Sequence, residues 1–214
     1  MSIPIASSAP IALSRLATKL HEVIEQSLRT VDDEKSYADD VDWAISQLDS
    51  ILERLEPHAR LADLNLGRPG DPEQGRPFYV SGVLVGPQHP MSMPVEIETI
   101  DGVTRGHVVL DIIWEGPPNH VHGGFIAHLF DCVMGQHNLN VGIAGMTGTL
   151  TVRYRRPIPL HTELSFEIRT VESTERKITT EAKLFANSAL AAEAQGLFIV
   201  PANFAANLER DSTG

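Results

Sequence analysis

The sequence predicts an α+β fold, a largely antiparallel sheet with one long helix inserted early, preceded by an N-terminal helical extension. Three patterns support this prediction. Apolar residues recur every three or four positions in the first 57 residues, and residues 124–137 have one broad apolar face. After that helix, strand-like segments follow one another with short connections, so their pairing should be mostly antiparallel.

Two amphipathic helices account for the beginning of the chain. Apolar residues repeat at helical spacing over residues 13–28 and again over 41–55, and Pro57 ends the second helix. Asp39 and Asp40 suit the N-terminus of the second helix, because acidic side chains interact favourably with the positive end of a helix dipole. We expect a helical hairpin that packs on another surface; a coiled-coil or partner-binding module is the alternative.

A Gly/Pro-rich polar stretch at residues 65–77 is the predicted linker. The hairpin therefore occupies residues 1–64, the main domain 78–204 and a short tail 205–214. Within the main domain, an Asp-Gly dipeptide at 101–102 is a favourable hairpin turn. The predicted strands are 78–85, 95–100, 103–113, 147–154, 163–172, 177–186 and 190–200.

Composition and charge exclude several classes of protein. The net charge is −11, from 17 Lys and Arg against 28 Asp and Glu, and an acidic chain is a poor partner for nucleic acid or anionic lipid. No apolar run approaches the roughly 20 residues that span a bilayer, so we expect no stable membrane insertion.

Cys132 is the single cysteine, which excludes an intramolecular disulfide and fits a reducing compartment. Because no positive charge precedes Arg15, a secretory signal is not expected, and we predict a cytoplasmic protein.

The most informative stretch is residues 116–135, GPPNHVHGGFIAHLFDCVMG. Gly123 and Gly124 open the long helix directly after a loop, and His122 stands immediately before them. A helix N-terminus offers unpaired N–H groups and a partial positive charge, and glycines let a ligand oxygen approach the backbone closely. This pattern predicts an anion or oxyanion site formed by the backbone.

Asp131 lies in the middle of the same helix among apolar neighbours. A buried carboxylate needs a partner or a function; a surface aspartate on the polar side of the helix is the alternative. Asp131 follows Gly123 by eight residues, which is about 12 Å along a helix axis. The two residues of one chain therefore cannot both touch one small reacting group. If both are catalytic, they come from two subunits whose helices face each other antiparallel, so the motif predicts a two-fold dimer.

These residues resemble the hot-dog-fold acyl-CoA thioesterases, the branch that includes the phenylacetate-pathway thioesterases and thioesterase-superfamily members 2 and 4. The matching parts are a Gly/Pro-rich loop, the HGG tripeptide at 122–124, Asp131 nine residues after the histidine, Gly135, Thr147 and the YRRP tetrapeptide at 154–157. The position of Thr147 is closest to that in member 4. The resemblance covers about residues 78–200.

The resemblance implies the hot-dog fold, in which a curved antiparallel sheet wraps a long helix and the sheets of two subunits pair. It implies hydrolysis of acyl-CoA, with no cofactor beyond the CoA of the substrate, by a homodimer or a pair of dimers. By position, Asp131 would be the general base or nucleophile, and the Gly123 N–H would bind the thioester oxygen. His122 would orient or polarise the thioester, and Thr147 would position water or Asp131. The chemistry agrees, because thioester hydrolysis needs a carboxylate to activate water and a donor for the developing oxyanion.

Three further residues are candidates for contact with substrate. Gly124 belongs to the same backbone site. Asn119 stands where the loop of the family has glycine, and it is either a polar contact to substrate or a loop residue with left-handed backbone. Thr149 is an alternative to Thr147, since we expect both on the same face of the strand.

Arg155 and Arg156 belong, with Arg153, to the densest basic cluster of this acidic chain. Guanidinium groups suit phosphate oxygens, so we predict that at least one of Arg155 and Arg156 binds the phosphates of CoA. The alternative is a set of edge-strand charges that keeps the sheet soluble. Cys132, beside Asp131, is interpreted as a small buried apolar residue rather than a nucleophile.

Three other functions remain open at this point. A zinc site is one, because several histidines are close in sequence to Asp131, but no spacing matches a known zinc hydrolase and we expect no metal. Its candidate ligands are His120, His122, His128 and His137. A hot-dog hydratase uses an Asp-x-x-x-x-His pair, and His137 is one residue too far from Asp131. A non-catalytic acyl-CoA sensor or scaffold is the third, and it would not need Asp131.

Overall fold

The computed structural model describes residues 11–29, 34–55, 91–143 and 145–200. Two N-terminal helices, α1 (Ile11–Arg29) and α2 (Glu34–Leu55), precede the main domain. The main domain contains α3 (Gly123–Asn140), β1 (Glu96–Ile100), β2 (Val103–Val109), β3 (Met146–Tyr154), β4 (Glu163–Ser173), β5 (Lys177–Ala186) and β6 (Ala189–Ile199). A short 3-10 turn, Ile112–Trp114, lies between β2 and the loop that leads to α3.

The described strands form one antiparallel sheet in the order β1-β2-β4-β5-β6-β3. The predicted hairpin joins β1 and β2, where Asp101 and Gly102 have φ angles of 50° and 74°. Such left-handed backbone matches the twist of two paired strands, which is why this dipeptide turns the chain. Because β3 pairs with β6 alone among the described strands, its other edge is open.

The core lies between α3 and the sheet. α3 contacts β3, β4, β5 and β6, so the sheet curves around the helix. Each large apolar side chain that is buried there contributes about 1.5–3 kcal/mol to folding. The side chains that fill this space include Ile126, Leu129, Phe130, Val133, Phe166, Ile168, Leu184 and Phe198.

Most of the predicted elements are confirmed, with small shifts of their ends. The strand predicted at 103–113 is too long, since β2 ends at Val109 and the chain enters the 3-10 turn. Asp39 and Asp40 lie inside α2, which begins at Glu34, so the prediction that they mark its N-terminus is wrong. The strand predicted at 78–85, the linker and the C-terminal tail lie outside the described residues.

A β-bulge in β3 corrects the expected positions of two threonines. Thr147 pairs with Phe198 of β6, but Thr149 pairs with Leu197, so two steps along β3 match one step along β6. Because paired residues share a face and successive residues alternate, Thr149 lies on the opposite face of the sheet from Thr147. The expectation that both threonines share one strand face is therefore wrong.

The two N-terminal helices have different surroundings. α1 packs on the 3-10 turn, Ala17 is buried, and Ile24 packs against the main core. α2 leaves its apolar side chains largely exposed, including Trp43 at 66%. None of the described helices is long and apolar enough to cross a membrane.

Candidate active site

The N-terminus of α3 is built around His122, the N-cap residue of the helix. Its Nδ1 accepts a hydrogen bond of 2.9 Å from the Gly124 N–H. Because Nδ1 is the acceptor, neutral His122 carries its proton on Nε2. His122 is exposed, so its Nε2–H can donate to a ligand.

Two glycines make room for the imidazole ring of His122. A methyl group added at Gly124 would lie 2.9 Å from Nδ1 of His122, and one at Gly116 would lie 2.9 Å from Cδ2. Both distances are shorter than van der Waals contact, so a side chain at either glycine would displace the ring. Gly116 also closes the loop, since its N–H donates to the His120 carbonyl at 2.9 Å.

Tyr154 fixes the first turn of α3. Its hydroxyl donates to the Gly123 carbonyl at 2.7 Å. The Gly123 N–H lies in that first turn, where backbone donors have no acceptor within the helix. The Gly124 N–H is already bonded to His122, so Gly123 supplies the backbone donor that this helix end presents to a ligand.

Asp131 is half-buried on α3 and is held by Thr147 of β3. The Thr147 hydroxyl donates to Oδ1 of Asp131 at 2.7 Å. This contact makes Asp131 a positioned carboxylate rather than a solvated surface aspartate. It leaves Oδ2 without a contact from Thr147, and a carboxylate oxygen can accept a proton from water.

The structure brings the predicted residues together in two groups rather than one. His122 and Gly123 lie at the start of α3, and Asp131 with Thr147 lies eight residues further along the helix. At 1.5 Å per residue the separation is about 12 Å. One chain therefore carries two groups of candidate residues that do not meet: an oxygen-binding candidate at the start of α3 and a carboxylate candidate at Asp131.

His128 lies three residues before Asp131 on α3, and Cys132 follows Asp131 directly. Burial lowers the pKa of His128, and the charge of Asp131 opposes that shift. Burial, with the Asp131 charge as a second cause, raises the pKa of Cys132 to about 12. The Cys132 thiol therefore stays protonated at neutral pH, which agrees with its interpretation as a small apolar residue rather than a nucleophile.

A cavity of about 520 Å³ lies beside the N-terminus of α3. It is lined by Pro117, His120, Val121, Gly123, Ile126, Tyr154, Arg155, Arg156, Pro157 and Ile158. Arg155 forms an ion pair with Glu193, and this hydrogen-bonded guanidinium lowers the pKa of the Glu193 carboxyl. Arg156 is exposed at the cavity and has no ion pair among the described residues. Its charge is therefore more available to a ligand than that of Arg155.

The histidines of the motif do not converge on one point. His120 Nδ1 donates to the Pro118 carbonyl at 2.8 Å. His137 is fully buried between the hydroxyls of Thr104 and Thr170, and burial lowers its pKa to about 4. Within the described ranges, no three His, Cys, Asp or Glu side chains are placed to hold a metal ion. The zinc-ligand set that the sequence allowed is therefore not assembled by these residues.

Asn119 has a φ angle of 61°, which confirms the left-handed interpretation of this loop residue. Its N–H donates to Oε1 of Glu115 at 2.6 Å, and its carbonyl accepts from the Leu160 N–H at 3.0 Å. Contact between the Asn119 side chain and substrate stays a prediction. Thr149, on the face of the sheet opposite Thr147, lies away from Asp131.

Sequence reasoning did not identify Gly116 as a residue that shapes the site. Gly116 begins the stretch 116–135, but the sequence assigns it no role, because its contact with the His122 ring depends on how the loop folds back. Asn119 is the sequence signal for this loop conformation, because asparagine is enriched in left-handed turns and Asn119 has a positive φ.

Comparison with known proteins identifies the family. The model of the thioesterase superfamily matches residues 118–191. The crystal structure of a thioesterase superfamily protein is similar over 91% of this chain and 92% of that chain, with 33% sequence identity and a TM-score of 0.76. The chain belongs to the thioesterase superfamily. Its fold is the hot-dog fold, as the resemblance of its sequence implied.

Two curated relatives match part of the chain. Acyl-coenzyme A thioesterase THEM4 of Xenopus laevis is 36% identical over 87 residues, which are 40% of this chain and 39% of that protein. Acyl-coenzyme A thioesterase THEM4 of Mus musculus is 31% identical over 87 residues, 40% of this chain and 37% of that protein. The matched segment thus spans well under half the length of these two relatives.

Proposed function

We propose that the protein hydrolyses acyl-CoA thioesters to a free acid and CoA. The observation that supports this most directly is the pairing, on one helix, of a Thr147-held Asp131 with a free Gly123 N–H. Membership of the thioesterase superfamily and the similarity to two proteins named acyl-coenzyme A thioesterase support the same reaction. No metal or cofactor is required for it.

The oxygen-binding half stabilises the charge that develops on the thioester carbonyl. The Gly123 N–H and the Nε2–H of His122 both donate, and the positive end of the α3 dipole adds to their effect. The donors are fixed before substrate binds, because Tyr154 holds the Gly123 peptide and Gly124 holds the His122 ring. A tetrahedral oxyanion is therefore stabilised without reorganisation of the site.

The carboxylate half supplies the attacking group. Asp131 either takes a proton from a water that attacks the carbonyl carbon or attacks that carbon itself. The Thr147 hydroxyl orients the carboxylate in both cases. The C–S bond then breaks, and because a thiol has a pKa near 8.5, the CoA sulfur leaves as a thiolate without a strong general acid. Where Asp131 itself attacks, water then hydrolyses the resulting anhydride, which releases the free acid and restores the carboxylate.

Both halves act on one substrate only if two subunits combine. We propose a homodimer in which Asp131 of one subunit faces the Gly123 N–H of its partner. The open edge of β3, whose side chains are mostly exposed, supports this arrangement, since pairing two such edges would join the sheets and bring both α3 helices together.

CoA recognition is assigned to the cavity at the N-terminus of α3. Arg156 lies there and forms no ion pair with a carboxylate among the described residues, whereas Arg155 is already paired with Glu193. The phosphates of CoA carry the opposite charge and suit a guanidinium fork. The cavity also contacts Gly123, so a thioester at the oxyanion donor and a nucleotide at Arg156 are compatible.

Thiol release from a panel of acyl-CoA esters tests the proposal. Asp131→Asn should lower kcat by roughly 10³-fold, because the amide neither accepts a proton nor attacks, while the fold persists. Asp101→Asn, the same chemical change in the β1–β2 turn, is the matched control and should keep wild-type activity. An Asp131→Asn variant with wild-type turnover would contradict the mechanism.

If no ester is hydrolysed but acyl-CoA still raises the unfolding temperature of the wild-type protein, the non-catalytic acyl-CoA-binding alternative replaces the enzyme. That alternative needs the Gly123 donor and Arg156 but not Asp131.

A further inference from the structure

We propose that α1 is part of the scaffold of the active site and that His21 of α1 is a positioning residue for His122. This inference rests on the proposed function, because it concerns the oxygen-binding half of that site. The link runs from α1 through the 3-10 turn Ile112–Trp114 to the N-cap of α3.

The first contact joins α1 to the start of the 3-10 turn. Nε2 of His21 lies 2.9 Å from Oδ2 of Asp111, with both side chains about four-fifths buried. The other carboxylate oxygen of Asp111, Oδ1, accepts from the Ile113 N–H at 2.9 Å and caps the turn. One carboxylate therefore binds α1 and shapes the turn at the same time.

The second contact covers the end of the turn. The rings of His21 and Trp114 have their centroids 5.3 Å apart at an angle of 40°. Trp114 is fully buried, and its indole N–H has no hydrogen-bond acceptor among the described residues. The position of Trp114 is thus set by packing, to which α1 contributes, and by its backbone.

The third contact reaches the active site. The His122 N–H donates to the Trp114 carbonyl at 2.8 Å, and Glu115 pairs with Val121 in an adjacent antiparallel bridge. The residues just after the turn and the residue that caps α3 are therefore held as one unit. A shift of Trp114 moves the backbone of His122, and with it the Gly123 N–H that follows.

Displacement of a catalytic donor by even 1 Å is costly to turnover, whereas substrate binding elsewhere is little affected. We therefore expect His21→Phe, which keeps a ring on Trp114 but loses the bond to Asp111, to lower kcat about tenfold with KM within about twofold. His21→Gln, which keeps an N–H donor near Asp111, should retain most of the activity. His107→Gln is the matched control, because His107 pairs with Glu96 at 3.1 Å on the exposed β1–β2 ladder and takes no part in the contacts described above.

A double-mutant cycle separates positioning from a general structural effect. If His21 acts through His122, His21→Phe should lower kcat less in a His122→Ala background than in wild type, because only the displacement of the Gly123 N–H then remains to affect turnover. Additive losses in the double variant would overturn the proposal, and so would an unchanged kcat in His21→Phe alone.

Amide hydrogen exchange over residues 116–124 gives a readout that does not depend on thioester hydrolysis. His21→Phe should speed exchange of the His122 N–H about tenfold, while His21→Gln and His107→Gln should not. Unchanged exchange in His21→Phe would remove the link between α1 and the site. If the wild-type protein hydrolyses no ester, the proposed function fails, but this exchange measurement still decides whether α1 positions His122.

Discussion

The two ends of α3 use polar residues in opposite ways. At the N-terminal end, His122 is exposed and the first-turn donor of Gly123 is left for a ligand. At the C-terminal end, Gln136, His137 and Asn138 are buried and bonded to neighbours. Their partners are Asn140 for Gln136, Thr104 and Thr170 for His137, and Thr180 for Asn138.

This difference shows that a histidine in one helix motif can serve chemistry or packing, depending on what the sheet places opposite it. Side-chain hydrogen bonds that are made inside the protein stabilise the fold. Hydrogen-bond capacity that is left at a helix N-terminus beside a cavity is available to substrate. The predictions below test this contrast and the division of the site between subunits.

The largest expected effect is restoration of activity by mixing two inactive chains. Asp131→Asn and His122→Ala should each lower kcat by at least about 100-fold. If the two halves of a site come from different subunits, co-expression of the variants gives heterodimers with one intact site and one doubly altered site. Random pairing then restores about a quarter of wild-type activity.

Different affinity tags on the two chains provide the control for this experiment. Heterodimers purified through both tags should have about half of wild-type activity. Tagged heterodimers that stay as inactive as the single variants would contradict a site shared between subunits.

The second-largest expected effect is on the free energy of unfolding, and it comes from His137 at the C-terminal end of α3. The pKa of His137 is lowered from 6.5 to about 4 by burial. As the pH falls from 6.5 towards 4, the unfolded chain takes up a proton that the folded chain does not, so the free energy of unfolding decreases by about 3 kcal/mol across this window. Above about pH 7.5 His137 is neutral in both states and contributes no pH dependence.

Denaturant unfolding of wild type and His137→Gln at several pH values measures this contribution. The variant should have a flatter decline between pH 6.5 and 4, with kcat near that of wild type at pH 7. His107→Gln, at an exposed position, should keep the wild-type slope. An unchanged slope in His137→Gln would mean that this buried histidine is not the group that titrates.

The fold was largely predictable because its pattern is local. Strand alternation, the Asp-Gly turn and the broad apolar face of residues 124–137 each depend on neighbours in sequence. The HGG tripeptide and Asp131 were also identified from spacing, and helix geometry alone separated them by about 12 Å.

The rest depended on contacts between distant segments. The bulge between Thr147 and Thr149 places Thr149 on the face opposite to the expected one. A prediction that assumes strict alternation of side chains along a strand cannot detect such a bulge. The role of His137 depends on Thr104 and Thr170, which β2 and β4 bring to it. Spacing within a helix carries no information on such partners.

The smallest expected effect compares two arginines at the end of β3. Arg156→Ala should raise KM for acyl-CoA about five- to tenfold, because it removes a charge-assisted contact to phosphate. Arg155→Ala should raise KM less, since Arg155 is already paired with Glu193. Neither variant should change KM for thioesters that lack the nucleotide.

Arg153→Ala is the matched control for both arginines, because Arg153 lies within β3, just before them, and is paired across the sheet with Glu193. It should leave KM for both kinds of thioester unchanged. Equal increases in KM for esters with and without the nucleotide would show that Arg156 supports the fold of the cavity rather than the binding of phosphate. An effect specific to acyl-CoA would instead assign the nucleotide to the N-terminal end of α3, which carries the proposed oxyanion donor Gly123.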